Sequence, residues 1–333
     1  MTKNQYWIDF LKSLAAFAVI ILHVSVPVVF EFEEKDNWWA GNFYNSLTRF
    51  CVPVFVMISG VLLLGKNEQL SVFLRKRFLR ILPPFILWSL IYLALKIDYT
   101  LPLKEIFSYS IIELKGGTQF HLWYVYMIIG LYLIIPLVNK WILNSTKNEL
   151  IYFLLIWLFV LLLALPIFNK LTTKIDLRYF SGYLGYLILG YFVYHFVNLK
   201  KKTGLLIFLF GFVFALIATY YISITENNFN ERFYKFLSIN VVVASTGIFI
   251  LFKNIIIKNR IFQKVILVLS KYSYGIYLSH IFVLILFKEI GFTYTLFNPW
   301  LSIPVLAVCC LMLSLLITFL LSKIPVIGKY ISG

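Results

Sequence analysis

Charge is scarce in this chain: only 13% of its 333 residues are Asp, Glu, Lys or Arg, about half the share in a soluble globular protein. Cysteine is scarcer still, with 3 residues of which Cys309 and Cys310 are adjacent. Three thiols so placed make neither a disulfide framework nor a zinc pattern. There is no Walker loop, no Gly-rich dinucleotide fingerprint and no other metal-ligand spacing. Alternating polar and apolar residues, the mark of a membrane β-barrel, are missing too. What is there instead is apolar: 61% of residues are hydrophobic and 19% aromatic, with a mean hydropathy of +0.89. A net charge of +16 would suit nucleic acid in a soluble protein, but in a membrane protein cations mark the cytoplasmic side. The composition predicts a membrane protein with no nucleic-acid partner and the lipid bilayer as its surroundings.

About 20 apolar residues cross a bilayer as a helix. Ten such stretches occur, at 8–30, 43–65, 81–97, 121–139, 150–168, 179–198, 204–223, 236–252, 267–287 and 300–322. The fold class is therefore an all-α polytopic membrane protein, with residues 1–333 as a single integral-membrane domain. The first stretch exceeds a signal-peptide core and lacks a small-residue cleavage site after it, so it is expected to remain as a span. With the N-terminus in the cytoplasm, the inner segments hold 17 cations against only Glu68 and Glu149. The outer segments hold nine cations and eleven acids, including Glu31, Glu33, Glu34 and Asp36. That asymmetry predicts both termini in the cytoplasm. The longest connection, 98–120, leaves no room for a soluble domain.

An ionisable side chain at mid-membrane costs ~2.5–3.5 kcal/mol on insertion scales, so each one is a candidate for function. The first span carries Asp9, Lys12 and His23. Lys12 and His23 fall within ~20° of one helical face, ~16 Å apart along the axis. Asp9 sits one turn before Lys12, within pairing reach. The bland alternative is a lysine snorkelling to the surface and a core histidine. The second span carries Arg49, Pro53 and Ser59-Gly60; Pro53 can bend the helix around a cavity, Ser59-Gly60 suits close packing, and Arg49 also fits an interfacial arginine. The loop before the third span reads Arg75-Lys76-Arg77-Phe78-Leu79-Arg80. It is either positive-inside charge or a set of guanidinium forks for phosphate. His121 and Trp123 open the fourth span. Ser273, Tyr277 and His280 share a face of the ninth through i,i+4 and i,i+7 spacing, as an interhelical polar seam or as part of a site.

Taken together, these segments resemble the membrane acyltransferase-3 family. The family's basic residue, ten positions and histidine match Lys12 to His23, and its Arg-x-x-Arg before the third span matches Arg77 and Arg80. Arg49 through Gly60, His121-Leu122-Trp123 and Ser273-Tyr274-Gly275-Ile276-Tyr277 are similar to further family segments, in order, from about residue 5 to 322. The absence of an appended domain and the opening Tyr6-Trp7-Ile8-Asp9 are most similar to the type that O-acetylates enterobacterial common antigen. Many members have Arg-Gly where this chain has Lys12-Ser13, which keeps the charge but loses the planar fork.

The resemblance implies transfer of an acyl group, usually acetyl, from cytoplasmic acyl-CoA to a hydroxyl of an extracytoplasmic envelope glycan or lipid-linked saccharide, in a bacterial cell membrane. Acetyl-CoA is then a donor substrate, with no tightly bound cofactor and no metal. Arg77 and Arg80, with Arg75 or Lys76, are expected to hold the donor's phosphates, and Ser59 to line its channel. His23 is expected to act as general base with Lys12 and Asp9 nearby, while Arg49, His121, Trp123, Ser273, Tyr277 and His280 face the acceptor or form a polar seam. A homo-oligomer is compatible with the pattern. Two other classes fit the same intramembrane charges: a transporter or flippase of a lipid-linked sugar or acyl donor, and a noncatalytic partner in glycan assembly.

Overall fold

The computed structural model describes residues 6–32, 35–163, 165, 180–253 and 255–333. Among these residues every regular element is a helix: α1 (Tyr6–Phe30), α2 (Lys35–Thr48), α3 (Cys51–Leu63), α4 (Leu70–Lys96), α5 (Leu103–Gly116), α6 (Trp123–Asn144), α7 (Lys147–Leu163), α8 (Leu184–Phe196), α9 (Lys201–Thr225), α10 (Ile239–Phe252), α11 (Arg260–Glu289), α12 (Pro299–Ser322) and α13 (Gly328–Ile331). Among the described residues eight helical runs are long and apolar enough to cross a membrane. Backbone groups have no water to bond in hydrocarbon, so continuous apolar sequence closes its own hydrogen bonds as helix.

Of the ten expected spans, the sixth is the shorter helix α8, 13 residues long, and the fifth is α7, whose expected continuation to 168 runs past the described residues. Lys3, Glu33 and Glu34 also lie outside them. The third span begins at Leu70 rather than 81, so Arg75, Lys76, Arg77 and Arg80 sit within a helix and not in a loop. Leu, Arg and Lys are good helix formers, and the positive charge that reads as a loop in sequence occupies the first turns of α4. The second span is broken at Arg49–Phe50, between α2 and α3, rather than at Pro53. Pro53 falls in the first turn of α3, where its missing N–H leaves little unsatisfied.

α1 packs against α2, α3, α10, α11 and α12, which makes it the central helix. Its Ala15, Ala16 and Ala18 are buried and let these neighbours approach. α3 and α8 meet backbone to backbone. A Cβ on Gly60 would stand 1.9 Å from the Leu187 carbonyl oxygen, and one on Gly190 2.2 Å from that of Met57. The Ser59-Gly60 pair thus serves packing through its glycine. α5 has no buried residue, and Leu103, Phe107 and Ile112 are exposed on it.

Candidate functional site

The helix ends sort the polar residues. Lys12, Lys66, Arg77 and Arg80 mark one end of the bundle, called here the basic end; His23, Arg49, Glu231 and the start of α6 lie toward the other, acidic end. A cavity of about 320 Å³ occupies the basic end. It is lined by Lys12 of α1, Ser59 of α3, Lys66 of the connection that follows α3, Arg77 and Arg80 of α4, Tyr124 and Tyr132 of α6, and Ser273, Tyr274 and Tyr277 of α11. A second cavity of about 350 Å³ occupies the acidic end, lined by His23, Arg49, Phe120, His121, Trp123, Phe236 and Glu231. Both volumes are in the range of small-molecule sites.

Tyr124 and Tyr277 line both cavities. Their rings meet edge to face with centroids 5.2 Å apart, so an aromatic pair is the wall they share. The Tyr277 hydroxyl donates to the His121 carbonyl oxygen, tying α11 to the turn that opens α6. The Ser273, Tyr277 and His280 stripe therefore crosses the bundle: Ser273 at the basic cavity, Tyr277 in the wall, His280 beyond it.

Past the wall, three histidines from distant parts of the chain come together. The His280 ring lies 5.1 Å from His23 and 5.1 Å from His121, centroid to centroid. Phe120 packs edge to face against His23, with centroids 5.3 Å apart. His121 and His280 are 1% and 0% exposed, yet both His121 nitrogens and Nε2 of His280 have no hydrogen-bond partner. Buried polar atoms without partners are costly, and here they gather beside a cavity.

At the basic end the cations are arranged unequally. Lys76 donates to Glu68 at 2.6 Å, and Arg77 lies 3.8 Å from the same carboxylate. The Lys76 hydrogen bond is the main cause that holds the Glu68 carboxyl below the usual range. Arg77 also lies over the Phe73 ring at 5.4 Å, and its Nε has no partner. Arg75 and Lys76 are exposed and do not line the cavity; Lys66 and Lys12 do. The expectation that Asp9 pairs with Lys12 gives way: among the described residues no ion pair joins them. Asp9 instead accepts from Ser270 at 2.6 Å, binding α1 to α11. Lys12 leaves it because its side chain turns toward the cavity.

Arg49 is held inside the bundle rather than at its surface. Its guanidinium donates to the Tyr234 carbonyl oxygen at 3.0 Å and to Asn45 Oδ1, and sits 4.3 Å above the Tyr234 ring. Trp123 stacks on Phe236 at 5.8 Å on the rim of the same cavity. Among the described residues no cluster of His, Cys, Asp and Glu has the make-up of a metal site.

Sequence reasoning therefore finds Lys12, Ser59, Arg77, Arg80, Ser273 and Tyr277 at one cavity and His23, Arg49, His121 and Trp123 at the other. It misses Lys66, Tyr124, Tyr132, Phe236 and Glu231. Aromatic residues are so common here that tyrosines lining a cavity carry no sequence signal.

Comparison with known proteins adds a family. A model described as an acyltransferase domain, that of acyltransferase family 3, matches residues 5–322. The nodulation protein NolL of Mesorhizobium japonicum is 23% identical over 146 residues, covering 41% of this chain and 38% of that protein. The chain thus matches well under half the length of that relative. No solved structure matches.

Proposed function

The chain belongs to acyltransferase family 3, and on that premise we propose that it moves an acetyl group from acetyl-CoA, bound at the basic end, to a sugar hydroxyl at the acidic end. The observation that carries this reading is the pair of cavities with one shared wall, cations lining one and histidines gathered at the other. In this reading the basic end faces the cytoplasm, where the excess of cations belongs and where acyl-CoA is found. The acceptor is an envelope glycan of the enterobacterial common antigen kind; Trp123 and Phe236 offer the flat apolar faces on which sugar rings rest.

Arg77 and Arg80, with Lys66 and Lys12, take the donor's phosphates through charge-assisted hydrogen bonds. The pantetheine arm runs past Ser59 to the Tyr124–Tyr277 wall, whose parting brings the thioester to His23. A neutral imidazole removes the hydroxyl proton as the sugar oxygen attacks the thioester carbonyl. The tetrahedral adduct collapses, the C–S bond breaks, and the proton passes to the departing sulfur. The products are the sugar ester and free coenzyme A.

The test uses protein purified into nanodiscs, with acetyl-CoA binding and thiol release measured for wild type, His23→Ala and the Arg77→Ala/Arg80→Ala double variant. Wild type is expected to bind donor and release thiol slowly, with water in place of the sugar. His23→Ala should bind normally and lose release by about 10²-fold or more, whereas the double variant should lose binding. Folded wild type that binds no acetyl-CoA would overturn the proposal and favour the transporter reading, in which the same cavities pass an intact lipid-linked sugar.

A further inference from the structure

We infer that His280 is a positioning residue for His23: it accepts a hydrogen bond from one nitrogen of His23 and so leaves the other as the lone pair that faces the acceptor hydroxyl. This rests on the reading of His23 as the base. It adds a role for a residue that the sequence leaves between packing and chemistry.

The argument starts from tautomers. His280 Nδ1 lies 2.5 Å from the Tyr277 carbonyl oxygen. A carbonyl oxygen can only accept, so Nδ1 carries the proton and Nε2 of a neutral ring is a lone pair. That lone pair is buried and has no partner. A buried acceptor left so costs on the order of 1–3 kcal/mol, and the rings packed against His280 that carry N–H are the two neighbouring imidazoles. Both rings stand 5.1 Å from His280, centroid to centroid, about the spacing of two imidazoles joined nitrogen to nitrogen at hydrogen-bond range. His121 meets His280 edge to face at 80°, whereas His23 is tilted by 34° and is the one of the two read here as the base.

The helix is built around this histidine. The Tyr92 hydroxyl donates to the Leu278 carbonyl oxygen at 2.7 Å and accepts from the Phe282 N–H at 3.0 Å. These are the two groups an uninterrupted helix joins to each other, so α4 inserts a side chain into the ladder of α11 at the turn that carries His280. Cys310 of α12 reaches the His280 carbonyl oxygen at 3.5 Å from the other side. His280 is held on both flanks, while its one free nitrogen faces no fixed donor.

As the hydroxyl proton moves to the free nitrogen of His23, that ring becomes an imidazolium whose second N–H points at the His280 lone pair. The pair then resembles the base and orienter of a triad, with a neutral imidazole in the orienting place. No proton leaves the pair in this step; the one taken from the hydroxyl goes on to the thiolate.

The experiment combines two readouts on protein in nanodiscs. The first is the nitrogen NMR spectrum of histidine-labelled protein, which holds only 4 histidines. Expected are a His280 protonated on Nδ1 and a single His23 tautomer. His280→Ala should split His23 into both tautomers, and His280→Gln, whose side-chain oxygen stands near the lost Nε2, should restore one. The second is thiol release. His280→Ala should lower kcat roughly 10²-fold at an unchanged acetyl-CoA Kd, and His280→Gln should recover most of that loss. A His23 tautomer indifferent to His280→Ala overturns the inference, as does glutamine no better than alanine with both variants equally less heat-stable, the signature of packing alone. Should wild type release no thiol, the acyl-transfer reading fails, while the spectra still decide whether His280 orients His23.

Discussion

Lys12 and His23 occupy nearly one face of α1 yet line different cavities, because eleven residues of helix carry the second past the Tyr124–Tyr277 wall. In the proposed function that separation puts the cation with donor phosphate and the imidazole with the reacting hydroxyl. It also ranks the cations by position rather than by motif. Lys66 lines the cavity and Arg75 does not, so Lys66→Ala should weaken acetyl-CoA binding about tenfold, ~1.4 kcal/mol. Arg75→Ala should leave it within about twofold, as surface charges do. Titration calorimetry reads both. Glu68 competes with phosphate for Arg77, so Glu68→Gln should tighten donor binding about twofold, a small gain because the pair is half-exposed and 3.8 Å apart. Weaker binding in Glu68→Gln would mean that the carboxylate holds Arg77 in place instead.

Helices were legible in the sequence wherever about 20 apolar residues run on, and their ends were not. The start of α4 hides in Leu70 through Arg80 because basic residues are helix formers and positive-inside signals at once. The break at Arg49–Phe50 hides because Pro53, the evident breaker, lands where a helix tolerates it. Contact between helices is less legible still: nothing in the two separate segments shows that Gly60 and Gly190 each face the other's helix. There a methyl group would meet backbone oxygen, which cannot swing aside. Gly190→Ala should therefore destabilise the protein by about 3 kcal/mol, seen as a lowered unfolding midpoint in detergent, whereas alanine at Gly130, which has open space around it, should be neutral. The same midpoint for both would contradict the packing of α3 on α8. α5 is the opposite case, amphipathic and without buried residues, joined to α4 by the Lys96–Glu113 pair at 2.7 Å. A helix of that kind beside a membrane bundle lies in the interface. Tryptophan at Phe107 should then be quenched by lipids brominated near the headgroup, and indifference to them would place α5 in water.

At the scale of the molecule, the family match and the two cavities point to one activity, but they come from different information. Lys12 and His23 were readable because charge within an apolar span is conspicuous, and Arg77 and Arg80 because of their Arg-x-x-Arg spacing before the third span. The meeting of His23 with His121 and His280 was not, since it depends on how α1, α6 and α11 cross. Nor was the role of Tyr277 as a wall, which needs Tyr124 from another helix opposite it. Under the proposed function they give the protein a direction: donor would enter at the basic end, and the acyl group would leave at the acidic end. The most direct test uses sealed proteoliposomes of known protein orientation, with membrane-impermeant acetyl-CoA supplied to one face at a time. Coenzyme A thiol should appear only when donor meets the basic end, and Arg77→Ala/Arg80→Ala should abolish it. Thiol released from the acidic face, or from either face alike in uniformly oriented protein, would contradict the account.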